Sequence, residues 1–477
     1  MSIEFGTGGW RAIIGDGFTK ANVQRLAYAL ARKMKDEGVA QRGFLAGYDR
    51  RFLSKEAAHW AAEVMAGAGV PCMVVEREAP TPLMMFAVRY YELSYGMAVT
   101  ASHNPALYNG VKVFTKGGRD ADEGVTASIE EYIAALPDGP CPAVPYEEGV
   151  RTGQIQIVDP MNAYIDSIIR SVNMDAIRSR GLKVVLDPMF GVSKTALSTI
   201  LITARCDVDV IHERRDALFG GRLPAPNSKT LIGLQSFVEE NGCDIGIATD
   251  GDADRLGVID DRGEFLHPNK ILVLLYYYLL RYKGWHGAAV RNIATTHLLD
   301  AIAAEFGETC YEVPVGFKHV SGKMAETGAV IGGESSGGLT VRGHIQGKDG
   351  IYAASLLVEM LATTGRRLSE IYQEIVGRYG AFEMAERGYR FSMEEKERIN
   401  KLLMEDRKLP DFGLDVEQVS YADGCKVYFK DGGWVVARFS GTEPLLRVFC
   451  EMDTMDKAAQ AAACMERFLG LTGRNIE

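Results

Sequence analysis

Strand-like and helix-like segments alternate over the first hundred residues, and this alternation restricts the fold more than any other feature. Apolar residues recur at helical spacing over 23–34, and Gly38 then stops the helix. Residues 44–48 and 70–75 are typical of strands, and Ser54 is expected to cap the helix between them. Alternation of this kind predicts a parallel sheet with helices on its faces.

The length and charge of the chain narrow its class. A chain of 477 residues is too long for one ordinary core, so several domains are expected. The net charge of −10, without any run of Lys or Arg, argues against a nucleic-acid partner. Eight cysteines without a CxxC pair indicate neither a zinc site nor a disulfide framework.

The sequence carries no membrane or export signal that we can identify. The N-terminal residues MSIEFGTGG do not resemble a signal peptide, and the most apolar run, residues 271–280, is far shorter than the roughly 20 residues of a membrane span. We expect a cytoplasmic protein without a membrane partner. The sequence leaves open whether it is a monomer or a homo-oligomer.

A serine beside a histidine follows a short apolar run, in the stretch TASHNP at residues 100–105. Pro105 disfavours helix before it, so Ser102 and His103 are predicted to lie on a turn after a strand. A hydroxyl held in this way beside an imidazole is a candidate nucleophile or phosphate carrier. A surface turn is the alternative. Lys112, in the following NGVK, could fold back towards Ser102 as a proton-transfer group or as a charge clamp.

Three aspartates at alternate positions follow a predicted buried strand at 244–248. Asp250, Asp252 and Asp254 are expected to point one way from an extended, Gly-containing turn. Carboxylates this close repel one another unless a cation lies among them, and oxygen ligands suit Mg²⁺. An EF-hand is excluded because Arg255 stands where that loop needs glycine and a strand precedes the motif.

Glycine-rich stretches elsewhere supply groups suited to phosphates and sugar hydroxyls. In FGTGGWR, at residues 5–11, the glycines leave backbone N–H groups open to an anion and Arg11 adds a fixed charge. In GGESSGG, Glu334 and Ser336 offer an acceptor and a donor two residues apart, which suits neighbouring hydroxyls. Lys348 follows in GHIQGKDG, and a Gly-kinked loop at 313–319 carries two further candidates, Lys318 and His319.

The last candidate site lies between two predicted strands of the C-terminal region, in RFSGTEP. Arg438 and Arg447 flank hydroxyl groups and a backbone opened by glycine, an arrangement that forms charge-assisted hydrogen bonds with an anion. Ser440, Gly441 and Thr442 complete this predicted phosphate clamp.

These motifs, taken in order from residue 5 to residue 447, resemble those of the α-D-phosphohexomutases, the phosphoglucomutase/phosphomannomutase family. The resemblance implies a phosphorylated Ser102 and a site whose members we group by role. The implied catalytic groups are Ser102, His103, Lys112 and Arg11. The implied Mg²⁺ ligands are Ser102, Asp250, Asp252 and Asp254. The implied substrate-binding residues are Arg255, Lys318, His319, Glu334, Ser336, Lys348, Arg438, Ser440, Gly441, Thr442 and Arg447.

The resemblance also implies an α/β fold with three related α/β/α domains, mainly parallel sheets and a smaller α+β C-terminal domain, around a central cleft. We place the domains at 1–145 (phosphoserine), 146–256 (metal), 257–376 (sugar) and 377–477 (phosphate clamp).

The implied reaction interconverts hexose 1-phosphate and hexose 6-phosphate with Mg²⁺, through glucose 1,6-bisphosphate as intermediate and activator. Phosphoglucomutase is the first expectation and a phosphomannomutase or dual glucose/mannose enzyme the second. Phosphoglucosamine mutase and phosphopentomutase rank lower. Ser335 stands where glucose-selective members often have Glu, which leaves the sugar open. The rivals from other classes are a metal-dependent sugar-phosphate phosphatase and a non-catalytic sugar-phosphate-binding protein.

Overall fold

The computed structural model describes residues 3–6, 8–440 and 445–476, which form two compact units. The first unit contains residues 1–283 and 336–369, and the second contains residues 284–335 and 370–477. The four domain boundaries given above stay predictions.

A mixed sheet with helices packed on it forms the N-terminal part of the first unit. Its elements are β1 (Phe5–Gly6), β2 (Gly9–Ile13), α1 (Lys20–Asp36), β3 (Phe44–Tyr48), α2 (Ser54–Gly67), β4 (Cys72–Val75), α3 (Thr81–Tyr90), β5 (Tyr95–Val99), β6 (Tyr108–Thr115), β7 (Arg119–Asp120), α4 (Glu123–Ala134), α5 (Tyr146–Thr152) and β8 (Ile155–Val158). The strand order is β1-β2-β6-β5-β3-β4-β8, with β7 beside β6. Strands β5, β3, β4 and β8 run parallel, as the alternation predicts, whereas β6 is antiparallel to β5. The sheet continues past residue 145, because β8 pairs with β4.

Ser54 does not cap α2, contrary to the sequence prediction. Leu53 is the N-cap residue and makes no side-chain capping hydrogen bond. The Ser54 hydroxyl instead donates to Asp49 Oδ1 at 2.8 Å and accepts from Asn109 Nδ2 at 3.0 Å. The Ser54 hydroxyl is therefore hydrogen-bonded to Asp49, a buried carboxylate at the end of β3, and does not cap the helix as local sequence rules predict.

A second mixed sheet belongs to the same unit. Its elements are α6 (Met161–Ser171), α7 (Met174–Arg178), β9 (Lys183–Asp187), α8 (Lys194–Thr203), β10 (Asp207–Val210), α9 (Ile232–Asn241), β11 (Ile245–Thr249), β12 (Leu256–Ile259), β13 (Phe265–Leu266) and α10 (Pro268–Arg281). The order is β10-β9-β11-β12-β13, with β10, β9 and β11 parallel and the last two strands antiparallel.

The rest of the chain supplies the second unit and returns once to the first. The elements are β14 (Ala289–Asn292), α11 (Leu298–Glu305), β15 (Cys310–Val313), α12 (Phe317–Thr327), β16 (Ile331–Gly333), β17 (Leu339–Val341), α13 (Gly350–Thr364), α14 (Leu368–Tyr379), β18 (Glu383–Arg390), α15 (Met393–Asn400), β19 (Val416–Ser420), β20 (Cys425–Phe429), β21 (Trp434–Phe439), β22 (Leu445–Met452) and α16 (Met455–Phe468). Both β17 and α13 lie in the first unit.

The second unit combines a parallel β15-β14-β16 sheet with an antiparallel C-terminal sheet in the order β18-β22-β21-β20-β19. Helix α16 packs on β18 and β22 of the C-terminal sheet. Three sheets that contain parallel strands and a smaller α+β region confirm the predicted fold class. Among the described residues, no helix has both the length and the apolar character that a membrane crossing requires.

Candidate active site

The serine turn directly follows β5, at the carboxyl end of a parallel strand, where ligands gather in open α/β sheets. Ser102 is buried and adopts a left-handed backbone conformation with φ of 51°. Its hydroxyl donates to Asp250 Oδ2 at 2.7 Å, and His103 Nδ1 lies 3.4 Å from the same Oγ. The first unit therefore joins the predicted hydroxyl carrier to the predicted carboxylate cluster, 148 positions later in the chain.

The three aspartates follow β11 and converge, as the sequence predicts. One oxygen from each of Asp250, Asp252 and Asp254 lies within 4.8 Å of the others, and all three residues are buried. The turn is tight rather than extended, because Ala253 is left-handed, with φ of 62°. Asp250 Oδ1 also accepts the backbone N–H groups of Asp254 and Arg255, both at 3.0 Å, which fixes the loop around that carboxylate.

Two lysines bind this carboxylate cluster. Lys112 Nζ lies 2.6 Å from Asp252 Oδ2 and 2.5 Å from Asp254 Oδ2, and Lys348 Nζ lies 3.0 Å from the same Asp254 oxygen. Burial opposes the charge of Lys112, but the carboxylates of Asp252 and Asp254 outweigh burial and raise its pKa. A lysine that stays protonated in this way favours the charge-clamp interpretation of Lys112 over proton transfer.

The carboxylates themselves are not fully compensated. Burial, together with the charges of Asp252 and Asp254, raises the pKa of Asp250 well above its usual value. Asp252 Oδ1 and Asp254 Oδ1 are buried and have no hydrogen-bond partner among the described residues. Orphaned carboxylate oxygens beside a convergent triad fit a hard divalent cation such as Mg²⁺, which takes oxygen ligands.

Two arginines complete the surroundings of Ser102. Arg11, on β2, donates from Nη1 to Asn104 Oδ1 at 2.6 Å, which places its guanidinium beside the serine turn. The backbone of Arg255 forms an isolated antiparallel bridge with Gly338, and the next residue, Leu256, donates its N–H to Gly337 at 3.1 Å. The segment that begins at the exposed Ser336 is therefore held beside the aspartate loop.

His103 has an unusual electrostatic environment. Burial, and then the nearby guanidinium groups of Arg255 and Arg11, lower the pKa of His103 well below its usual value. The imidazole is therefore neutral near pH 7, because burial and the two guanidinium groups disfavour its protonation.

The second unit brings together another group of predicted residues. Glu334 is buried at the end of β16, and its Oε1 accepts from Asn292 Nδ2 and from the backbone N–H of Gly316, both at 2.9 Å. Lys318 and His319 lie on the first turn of α12, so the predicted loop at 313–319 is shorter than expected. Gly316, with φ of 128°, forms the predicted kink directly before that helix.

The predicted phosphate clamp lies between β21 and β22. Arg438 and Arg447 face each other across these strands, and Ser440 donates its N–H to Leu445 O at 2.7 Å. Arg438 Nη2 lies 3.3 Å from Asp423 Oδ1. Gly441 and Thr442 lie outside the described residues.

Several residues around these groups were missed in the sequence. Thr81 donates to Asp252 Oδ2 at 2.7 Å. Asp423 Oδ2 accepts the N–H of Val315 at 2.7 Å, and because Asp423 also pairs with Arg438, it connects β21 to the loop before α12. Arg51 and Asp49 contact the serine turn. Among these residues, only Asp49 could have been recognised from the sequence, because it is a polar residue directly after the predicted strand 44–48.

Family models match four segments of the chain in order. They are described as phosphoglucomutase/phosphomannomutase α/β/α domain I at residues 2–138, domain II at 162–263, domain III at 267–379 and the C-terminal domain at 390–468.

Individual relatives span nearly the whole chain. A phosphoglucomutase/phosphomannomutase of Thermococcus kodakarensis is 30% identical over 466 residues, covering 96% of this chain and 97% of its own. A phosphoglucosamine mutase of Acetivibrio thermocellus is 29% identical, covering 98% and 100%. A solved structure of a provisionally named phosphomannomutase from Thermus thermophilus has a TM-score of 0.85 at 29% identity, covering 98% and 100%.

Proposed function

Since the chain belongs to the phosphoglucomutase/phosphomannomutase family and is an intramolecular phosphotransferase of that type, we propose that it moves a phosphoryl group between O1 and O6 of a hexose through a phosphorylated Ser102. One observation supports this proposal most directly. The Ser102 hydroxyl is hydrogen-bonded to Asp250 inside a buried triad of carboxylates. A serine that only stabilised the turn would not need three buried negative charges beside it.

Asp250, Asp252 and Asp254 would hold the cation, with Ser102 as the fourth ligand. Bound Mg²⁺ supplies charge neutralisation for the transferring phosphoryl group. Lys112 keeps Asp252 and Asp254 ionised and in place, because its ammonium group bridges them. Arg11 and Arg255 add positive charge on the side of the serine turn, where it stabilises a phosphate.

In the proposed first step, the bond between phosphorus and Ser102 Oγ breaks and a bond forms between phosphorus and a free sugar hydroxyl. The product is a hexose 1,6-bisphosphate. The sugar hydroxyl gives up its proton as it attacks, and Ser102 Oγ takes up a proton as it leaves; His103, whose Nδ1 lies 3.4 Å from Oγ, is placed to supply the proton that Oγ takes up. The second step reverses these changes with the other phosphate of the reoriented intermediate. Hexose 1,6-bisphosphate added in trace amounts would restore any serine that had lost its phosphate.

The second unit carries groups suited to the rest of the substrate. Glu334 is held rigidly by Asn292 and Gly316, so its carboxylate can accept from sugar hydroxyls in a fixed direction. We assign to Lys318, His319, Arg438, Ser440 and Arg447 the binding of the sugar and of the phosphate that is not being transferred. Gly441 and Thr442 belong to the same proposed clamp by sequence. We also assign Ser336 and Lys348 to substrate binding.

Glucose 1-phosphate is the proposed preferred substrate, with mannose 1-phosphate second. The relatives named above include both a phosphoglucomutase/phosphomannomutase and a phosphoglucosamine mutase, so glucosamine 1-phosphate is the specific competitor.

The test is a coupled assay of the purified protein with Mg²⁺ and a trace of glucose 1,6-bisphosphate, run in parallel on the three sugar 1-phosphates. We expect the 6-phosphate isomer from glucose 1-phosphate, and no detectable turnover by Ser102→Ala. Ser94→Ala, a buried serine away from the site, is the control and should retain activity. Free phosphate in place of isomer would support a phosphatase. Binding without either product would support a non-catalytic binding protein.

A further inference from the structure

Arg51 is a buried charged residue beside the serine turn. The residue is 1% exposed, and its guanidinium group contacts backbone carbonyl groups. It lies between β3 and α2. Its Nη1 donates to the carbonyl groups of Pro105 at 2.9 Å and Tyr108 at 3.1 Å. Its Nη2 donates to the carbonyl groups of Asn104, at 2.6 Å, and of Ser102. One guanidinium group therefore donates to four carbonyl groups of the segment 102–108, which contains the serine turn.

The backbone N–H group of Ser102 is held from the same segment of the chain. The Ser102 N–H donates to Thr100 Oγ1 at 2.8 Å, and the Thr100 hydroxyl donates to Asp49 Oδ2 at 2.7 Å. Asp49 Oδ1 in turn accepts the backbone N–H of Arg51 at 2.9 Å. Both the N–H and the carbonyl group of Ser102 are thus tied to residues 49–51.

The conformation of Ser102 explains why so many contacts are needed. A non-glycine residue with φ of 51° is in the left-handed region, which costs free energy and persists only where the surroundings determine it. The carbonyl group of the buried Ser102 also needs a donor, because a buried carbonyl group without one is costly. If the guanidinium were lost, we expect the turn to relax and Ser102 Oγ to leave Asp250.

We propose that Arg51 is a positioning residue for phosphoryl transfer, which holds the serine turn in the one conformation that presents Oγ to Asp250 and His103. This inference rests on the phosphoserine mechanism proposed above. Arg51 acts through the turn and not on the substrate. It therefore affects the rate of transfer and not the affinity for the sugar phosphate.

The test is a comparison of two neighbouring arginines. Arg51→Lys keeps the charge, but a single ammonium group cannot match the planar fork that reaches four carbonyl groups. Arg50→Lys is the matched control, because Arg50 donates to Phe190 O at 3.4 Å and Glu213 O at 3.1 Å and not to the serine turn. Both variants are purified as full chains, and folding is verified by circular dichroism.

We expect kcat of Arg51→Lys to fall about 100-fold, the effect of misplacing a reacting group by about 1 Å. Its KM for the sugar phosphate should be unchanged, and mass spectrometry should show less phosphorylated Ser102. Arg50→Lys should match the wild type in all three readouts. If Arg51 only stabilised the fold, Arg51→Lys would melt at a lower temperature while kcat per folded molecule stayed at the wild-type value, and the proposal would be wrong.

A second variant keeps the proposal testable if Arg51→Lys does not fold. Thr100→Val preserves the shape of the side chain but removes the acceptor of the Ser102 N–H, so it should lower kcat with KM unchanged. Wild-type kcat in Thr100→Val would also overturn the proposal. A wild-type protein that carries no phosphate on Ser102 during turnover would instead overturn the phosphoserine mechanism itself, which separates the two failures.

Discussion

Two clusters of charged residues, one in each unit, have opposite signs at their centres. In the carboxylate cluster (Asp250, Asp252, Asp254 and Lys112), one lysine bridges two aspartates. In the arginine cluster (Arg291, Asp300, Glu312 and Lys426), one glutamate bridges two cations. Glu312 Oε2 lies 2.5 Å from Arg291 Nη1 and 2.6 Å from Lys426 Nζ.

The two clusters differ in how completely their atoms are partnered. In the arginine cluster, Glu312 Oε1 accepts from Tyr428 at 2.7 Å, Arg291 binds both oxygens of Asp300, and Lys426 lies 4.3 Å from the ring centroid of Trp434. In the carboxylate cluster, Asp252 and Asp254 each keep an oxygen without a hydrogen-bond partner among the described residues. The partnered atoms of the arginine cluster suit a structural role, whereas the two unpartnered carboxylate oxygens of the other cluster can receive a cation.

The largest expected difference concerns Glu312. Glu312→Gln removes the carboxylate that lies between the buried cations Lys426 and Arg291 and leaves only Asp300 paired with Arg291, so the free energy of unfolding should fall by about 3–5 kcal/mol. Urea unfolding followed by circular dichroism measures this change. Glu308→Gln is the control, because its partner His286 is exposed and such pairs contribute about 0–1 kcal/mol. Equal effects of the two variants would contradict a structural role for the arginine cluster.

Acid should weaken the second unit through His297, which lies beside the arginine cluster. Burial and then Arg291 lower the pKa of His297 from 6.5 to about 4, although Glu312 opposes the shift. The charged groups that face it are Arg291, Lys426, Glu312 and Asp300. Between pH 6.5 and 4 the unfolded chain binds the proton and the folded chain does not, so stability falls as the pH falls.

The size of this loss is up to about 3 kcal/mol for a shift of this extent. His297→Gln removes the titrating group, so its unfolding free energy should depend less on pH over that range than that of the wild type. Urea unfolding of both proteins at pH 6.5, 5.5 and 4.5 measures the two slopes. Parallel slopes would show that His297 has the same pKa in the folded and unfolded chain, and would contradict a lowering of its pKa by burial and Arg291.

The smallest effect has the opposite sign and belongs to the carboxylate cluster. Asp250→Asn removes one of three buried like charges, so in EDTA the variant should be more stable than the wild type by about 1 kcal/mol, while mutase activity is lost. Adding Mg²⁺ should raise the melting temperature of the wild type and not that of the variant. A less stable Asp250→Asn protein in EDTA would mean that the carboxylate cluster is structural, like the arginine cluster.

Much of the fold could be predicted from local patterns. The predicted strand 44–48 matches β3, and the parallel pairing of β5, β3 and β4 follows from the alternation of strands and helices. The convergence of the aspartates was also predictable, because their spacing is local. The capping prediction for Ser54 was wrong, because its hydroxyl donates to Asp49 at the end of β3.

The sequence by itself determined which residues have the chemistry of the site, because serine, aspartate and arginine motifs are contiguous and their backbone requirements are local. Only the tertiary structure decided which of these residues meet. Lys112 and Asp254 are 142 positions apart, and Lys426 and Glu312 are 114 apart. The side chain of Arg51 reaches a turn that begins 51 residues later. Contacts at such separations depend on how sheets and loops pack, and no local pattern records them.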